Sequence, residues 1–151
     1  MSREPKIIAV IGGRECDRQV YEKAYTVGKA IAERGAVLVC GGKTGVMEAA
    51  CRGAAEAGGL TIGILPGYDD REANKWVKIA IPTGVGIARN SIIACACHAA
   101  IAIDGSYGTL SEIAYCKQMD RPVVSLGSWK IEGVPQVESA EEALSFVFND
   151  E

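Results

Sequence analysis

What most constrains this chain is an alternation: short apolar runs without polar interruption take turns with segments whose apolar residues recur at helical spacing. Residues 6–11 (KIIAVI), 36–40 (AVLVC), 61–65 (TIGIL), 77–81 (VKIAI), 99–103 (AAIAI) and 122–126 (PVVSL) read as strands. Between the first two, residues 18–34 carry Val20, Ala24, Val27, Ala30 and Ile31 on one helical stripe, with Asp17 available as the cap. Further helices are expected near 45–57, 88–98, 108–118 and 140–148. Strands that are apolar throughout are covered on both faces, and helical connections between them are right-handed crossovers. The expected fold is therefore α/β: a single domain built as a three-layer, doubly wound, mainly parallel sheet of six to seven strands. The seventh would be a short edge strand in the tail 128–139.

Size and charge narrow the function. A chain of 151 residues is one domain, long enough to bury roughly 68–70% of the surface its unfolded form exposes. With 23% charged residues and a net charge of −3 it lacks the basic excess of a polyanion binder, so no nucleic-acid partner is expected. No run approaches about 18 apolar residues and the first residues lack a signal-peptide pattern, so no membrane partner and a cytoplasmic location are expected. The six cysteines (Cys16, Cys40, Cys51, Cys95, Cys97, Cys116) lie in apolar segments of a chain too large to need staples, and read as reduced thiols. Cys95, Cys97 and His98 cannot share an ion, because positions two apart on a helix point about 200° apart. No metal site is expected.

Eighteen glycines exceed the number that average usage gives for this length, about eleven. They cluster after strands: Gly12 and Gly13; Gly41, Gly42 and Gly45; Gly67; Gly84 and Gly86; Gly105 and Gly108. In a doubly wound sheet all these turns share the carboxyl edge, where ligands bind against helix N-termini. Free amides at a helix start favour an anion by about 0.3–1 kcal/mol, and up to ~2 when partly buried. The turns at 41–45 and 105–109, with hydroxyls on Thr44, Ser106 and Thr109, are therefore expected to hold a phosphate. GGKTG lacks the spacing of a triphosphate-binding loop, and GxGxxG is missing after the first strand, which argues against NAD.

Two charged residues stand at this edge. Glu112 is set about 200° around its helix from Leu110 and so faces the crevice or water, not the sheet. Arg89 opens the preceding helix, where the dipole disfavours a cation and some partner has to offset the cost. Thr109-Leu-Ser-Glu112 also matches a capping box, a role compatible with facing a ligand. The polar stretch GYDDREANKW, 67–76, is either a lid whose Arg71 and Lys75 contact an anion or an ordinary surface loop. Val20, Tyr25, Cys95, Tyr115 and Met119 lie on helix faces that one sheet does not fully cover.

GGKTGVMEAA resembles the GGGxxGLMG segment, and RNSIIACACHAAIAIDGSYGTLSE the RKxxM…PGGxGTxxE segment, of the lonely-guy (LOG) proteins. The register holds without a gap over those 24 residues: Arg89 falls on the family arginine, Gly105, Gly108 and Thr109 on PGGxGT, and Glu112 on its final glutamate. That Rossmann-like superfamily also holds the molybdenum cofactor carrier proteins and DNA-processing relatives. The resemblance implies a phosphorylated, nucleotide-like ligand and a homo-oligomer, dimer or tetramer. In the lonely-guy enzymes the reaction is hydrolysis of the N-glycosidic bond of a nucleoside 5′-monophosphate. Carried over, the glycine turns would hold the phosphate, Glu112 would stabilise the cationic ribosyl transition state or direct water, and Arg89 would position both.

Three positions depart from the pattern. Asn90 replaces the family lysine, Asp104 the proline of PGG, and Ser106 its second glycine. An acidic Asp104 beside the phosphate opposes the helix dipole. The reading ranked first is therefore carrier-like binding of a phosphorylated nucleotide or molybdopterin-type molecule. N-glycosidic hydrolysis ranks second and a nucleotide-sensing interaction module third. No cofactor is required for turnover; a nucleoside monophosphate or the molybdenum cofactor would be the bound ligand.

Overall fold

The structure is a computed structural model that describes residues 5–149. In chain order it comprises β1 (Ile7–Gly12), α1 (Arg18–Glu33), β2 (Val37–Cys40), α2 (Val46–Glu56), β3 (Thr61–Leu65) and β4 (Ile79–Pro82). There follow α3 (Arg89–Ala96), β5 (Ala99–Ile103), α4 (Tyr107–Gln118), β6 (Val123–Leu126), β7 (Gln136–Val137) and α5 (Ala140–Val147). All seven strands join one sheet in the order β4-β3-β2-β1-β5-β6-β7, and every pairing is parallel.

The strand order fixes where a ligand can sit. The chain winds outward from β1 to β4, then crosses back to lay β5 against the other side of β1, with Ile8 opposite Ala99 and Gly12 opposite Ile103. Connections leave β1 and β5 toward opposite faces of the sheet, and a crevice opens between them at their carboxyl ends.

The central strands each serve two cores. In β1, Ile8 and Val10 pack under α1, α2 and α5, whereas Ala9 and Ile11 pack under α3 and α4. Asp17 caps α1, its Oδ1 accepting the Val20 amide at 2.9 Å, and Ala24, Val27, Gly28 and Ile31 form the buried stripe. The helices α1 and α2 touch backbone to backbone at two glycines. A β-carbon on Gly28 would stand 1.9 Å from the Ala50 carbonyl oxygen, and one on Gly53 2.1 Å from that of Tyr25.

Two boundaries differ from the sequence expectation. The fourth strand begins at Ile79, because residues before it close a turn in which the Val77 amide donates to the Asn74 carbonyl. The third helix ends at Ala96, before His98, because Cys97 is extended and His98 is drawn to β1, donating its amide to the Ile7 carbonyl and accepting the Ile7 amide on Nδ1. Cys95 is exposed and Cys97 buried, so that trio splits. All six cysteines are free; Cys40 and Cys51 lie 3.4 Å apart at sulfur. No helix among the described residues is long and apolar enough to cross a membrane.

Candidate functional site

At the crossover between β1 and β5 lies a cleft of about 750 Å³. One wall is the turn after β1, with Gly12, Gly13, Arg14 and Glu15; the facing wall is the turn into α4, with Asp104, Gly105, Ser106, Gly108 and Thr109. Arg89, Asn90 and Glu112 line it too, together with Thr44, Met47, Pro66 and Ile87.

The N-terminus of α4 is the part most open to an anion. Asp104 and Gly105 both take left-handed backbone, φ 50° and 98°, and swing the chain sharply off β5. Gly105 is required there, since a β-carbon would sit 2.1 Å from the Thr109 hydroxyl. The helix then starts at Tyr107, with Ser106 as a cap whose side chain makes no capping bond. Among the described residues, the amides of Tyr107, Gly108 and Thr109 meet no protein acceptor; the first helical bond runs from Leu110 to the Ser106 carbonyl. The capping box expected at Thr109 and Glu112 is not formed, because the helix begins two residues before Thr109. The turn is braced from behind: the Ser128 hydroxyl donates to the Asp104 carbonyl at 2.6 Å and Trp129 Nε1 to that of Ser106 at 2.9 Å.

The turn after β2 has a different task. Gly41, Gly42 and Gly45 do not line the cleft. The Val46 amide at the start of α2 donates to the Gly13 carbonyl at 3.0 Å, and the Thr44 hydroxyl to that of Arg14 at 2.8 Å. The Gly42 amide points at Cys40 sulfur. A β-carbon on Gly45, at φ 66°, would lie 2.4 Å from the Gly13 carbonyl oxygen. These glycines let the second turn lock the first in place, with the Gly42 and Val46 amides and the Thr44 hydroxyl engaged.

Arg89 is 7% exposed and folds inward from the start of α3. Its Nε donates to the Ile64 carbonyl at 2.8 Å, Nη2 to that of Gly41 at 3.3 Å, and Nη1 to Asn90 Oδ1. Carbonyls at the ends of β3 and β2 thus offset the cost of a cation at a helix start. Asn90 Nδ2 in turn donates to Ser111 Oγ at 3.1 Å and reaches the Gly108 carbonyl, tying α3 to α4. Gly41 is small for this reason: a β-carbon there would sit 2.7 Å from Arg89 Nη2. Burial pulls the guanidinium below its usual value, and the nearby Glu112 works the other way.

Glu112 lines the cleft and is also 7% exposed. Among the described residues nothing donates a hydrogen bond to its carboxyl group, and no ion pair with Arg89 forms. Burial pushes its pKa up to about 8, against the opposing pull of Arg89. At neutral pH this side chain is a neutral acid, which can donate a hydrogen bond to a ligand.

The stretch 67–76 does not reach the cleft. Arg71 pairs with Asp69 at 2.6 Å, Lys75 lies over the Trp76 ring, and Asn74 pins the segment to the Gly42 and Lys43 carbonyls. Arg14, Glu15, Met47, Pro66 and Ile87 are cleft residues that spacing alone did not select. For Arg14 and Glu15 the available signal was their place directly after the first glycine pair.

Comparison with solved structures agrees with this fold. The molybdenum cofactor binding protein of Rippkaea orientalis is 35% identical, with 98% of each chain covered and a TM-score of 0.92. The molybdenum cofactor carrier protein of Chlamydomonas reinhardtii is 33% identical, covering 97% of this chain and 98% of that one, with a TM-score of 0.85. A protein of Archaeoglobus fulgidus is 46% identical over 140 residues, 92% of each chain. The SLOG cluster4 family model matches residues 5–150, and the chain belongs to that family.

Proposed function

We propose that this protein binds a phosphorylated small molecule of nucleotide or molybdopterin type in the β1/β5 cleft and acts as a carrier, without breaking bonds in it. The observation that supports this reading most is the run of amides at the start of α4 that meet no acceptor among the described residues, open to a cleft of about 750 Å³. Such a cleft is within the usual range for small-molecule sites. Gly105, Ser106, Gly108 and Thr109 would hold the phosphate, with Gly12 and Gly13 shaping the opposite wall and Arg89 supplying positive potential from below. Similarity to molybdenum cofactor carriers supports the pterin-type ligand over a free nucleotide.

N-glycosidic hydrolysis is the second reading, since Arg89 and Glu112 stand together as in the lonely-guy pattern. Glu112 holding its proton to about pH 8 weighs against it, because a neutral acid does not stabilise a cationic ribosyl transition state. The protein is taken to work as a homo-oligomer, an idea supported by Ile87, 72% exposed beside the cleft, and by the exposed Tyr115 and Cys95.

One experiment separates the readings. The purified protein is titrated calorimetrically with nucleoside monophosphates and with molybdopterin, while free base is assayed in parallel. Saturable binding without base release supports the carrier. Base release that disappears in Glu112→Gln establishes the hydrolase, and the lack of any binding removes both.

A further inference from the structure

The carboxyl group of Glu112 lies beside the opening of α4 and has no hydrogen-bond partner among the described residues. On a helix, a side chain leans toward the N-terminus and covers the turn before it. Four residues back from Glu112 is Gly108, which carries no side chain; a β-carbon placed there would meet only Asn90 Nδ2, at 3.9 Å. The buried carboxyl group and the turn that carries the free amides thus line one cleft, with no side chain at Gly108 to stand between them. An oxyanion seated on those amides comes to rest against it.

Two oxygens placed face to face need one proton between them. An ionised glutamate is only an acceptor, and a fully ionised oxyanion is another, so without a proton the contact is repulsive. With one, it is a short charge-assisted hydrogen bond. Resting on the anion-cradle reading above, we infer that Glu112 and the bound oxyanion hold a single proton in common, so that the cleft holds a phosphomonoester dianion only with that proton in place.

The surroundings favour this arrangement. Arg89 faces Glu112 from α3, but its donors go to the Ile64 and Gly41 carbonyls and to Asn90. The other titratable groups near Glu112 are the buried thiols of Cys40, Cys97 and Cys116. Arg14, Glu15 and Asp104 line the same cleft, one basic side chain against two acidic. Glu112 keeps its own proton up to about pH 8. Above that, only an oxyanion bringing its own proton can make the bond. A phosphomonoester, whose second ionisation lies near about pH 6, cannot. The ligand would thus be held at neutral pH and released as the medium turns alkaline.

The test uses three probes on the full chain: inorganic phosphate, sulfate and methyl phosphate, titrated calorimetrically between about pH 6 and 9. Sulfate and methyl phosphate should weaken about fivefold between pH 8 and 9. Inorganic phosphate, which retains a proton through this range, should weaken several-fold less. In Glu112→Gln the decline for sulfate and methyl phosphate should vanish. Wild-type protein titrated with sulfate near pH 9 in two buffers of different ionisation enthalpy should take up close to one proton, a readout independent of how the variant folds. Sulfate affinity that stays level from pH 6 to 9, or binding without proton uptake, overturns the shared proton and leaves the anion cradle standing. If none of the three anions binds at any pH, the cradle itself falls.

Discussion

At the scale of single residues, Glu112 and Arg89 decide most. Glu112 in the folded chain retains the proton that the unfolded chain gives up at the ordinary glutamate value of 4.5, and loses it only near 8. A folded-state pKa raised in this way means that stability is fully present at acid pH and is lost as pH climbs through that window. The loss amounts to a few kcal/mol at most, on the order of 1.4 kcal/mol for each tenfold change in proton affinity. Glu112→Gln should therefore match the wild type in urea unfolding at pH 5 and be the more stable protein at pH 9. Arg89→Leu strands the Ile64 and Gly41 carbonyls and Asn90 Oδ1, and should cost at least about 1–3 kcal/mol in the same measurement. That both residues face the ligand edge was legible from spacing. That Arg89 is held by strand-end carbonyls was not, because its acceptors are 25 and 48 residues away in sequence.

At the scale of elements, small residues do opposite things to local propensity and to packing. Gly28 and Gly53 weaken α1 and α2 as isolated helices by roughly 1 kcal/mol each relative to alanine. In the fold they are the contact points through which the two helices meet, with a β-carbon at either one overlapping a carbonyl of the other helix at 1.9 or 2.1 Å. Overpacking of that kind costs about 1–3 kcal/mol or more and outweighs the gain in propensity. Gly28→Ala and Gly53→Ala should each lower the urea midpoint, and Gly58→Ala, with nothing within 4 Å but φ 81°, should be hurt by backbone strain alone. The glycine pattern marked the turns at the carboxyl edge of the sheet. It did not distinguish a turn that opens on the cleft, at α4, from one that braces its neighbour, at α2. Hydrogen-bond partners drawn from Gly13 and Arg14 make that difference, and they come from another part of the chain.

At the scale of the whole molecule, a ligand that binds only the folded state stabilises it by mass action, about 2.7 kcal/mol at a hundred times Kd. For a domain of this size that is a rise of roughly 5–10 °C in Tm. Molybdopterin or a nucleoside monophosphate should produce such a rise at neutral pH, read by thermal unfolding, and a smaller one at pH 9. The amino-acid sequence on its own determined the parallel three-layer architecture, because period and burial are local properties of each apolar run. It also determined that Glu112 and Arg89 stand at the carboxyl edge, since helix geometry fixes direction over a few residues. Only the tertiary structure decided that β5 returns to the side of β1 and opens the cleft there, and which helix start lines it. Those outcomes depend on pairings between segments tens of residues apart, whose energies no short stretch of sequence contains.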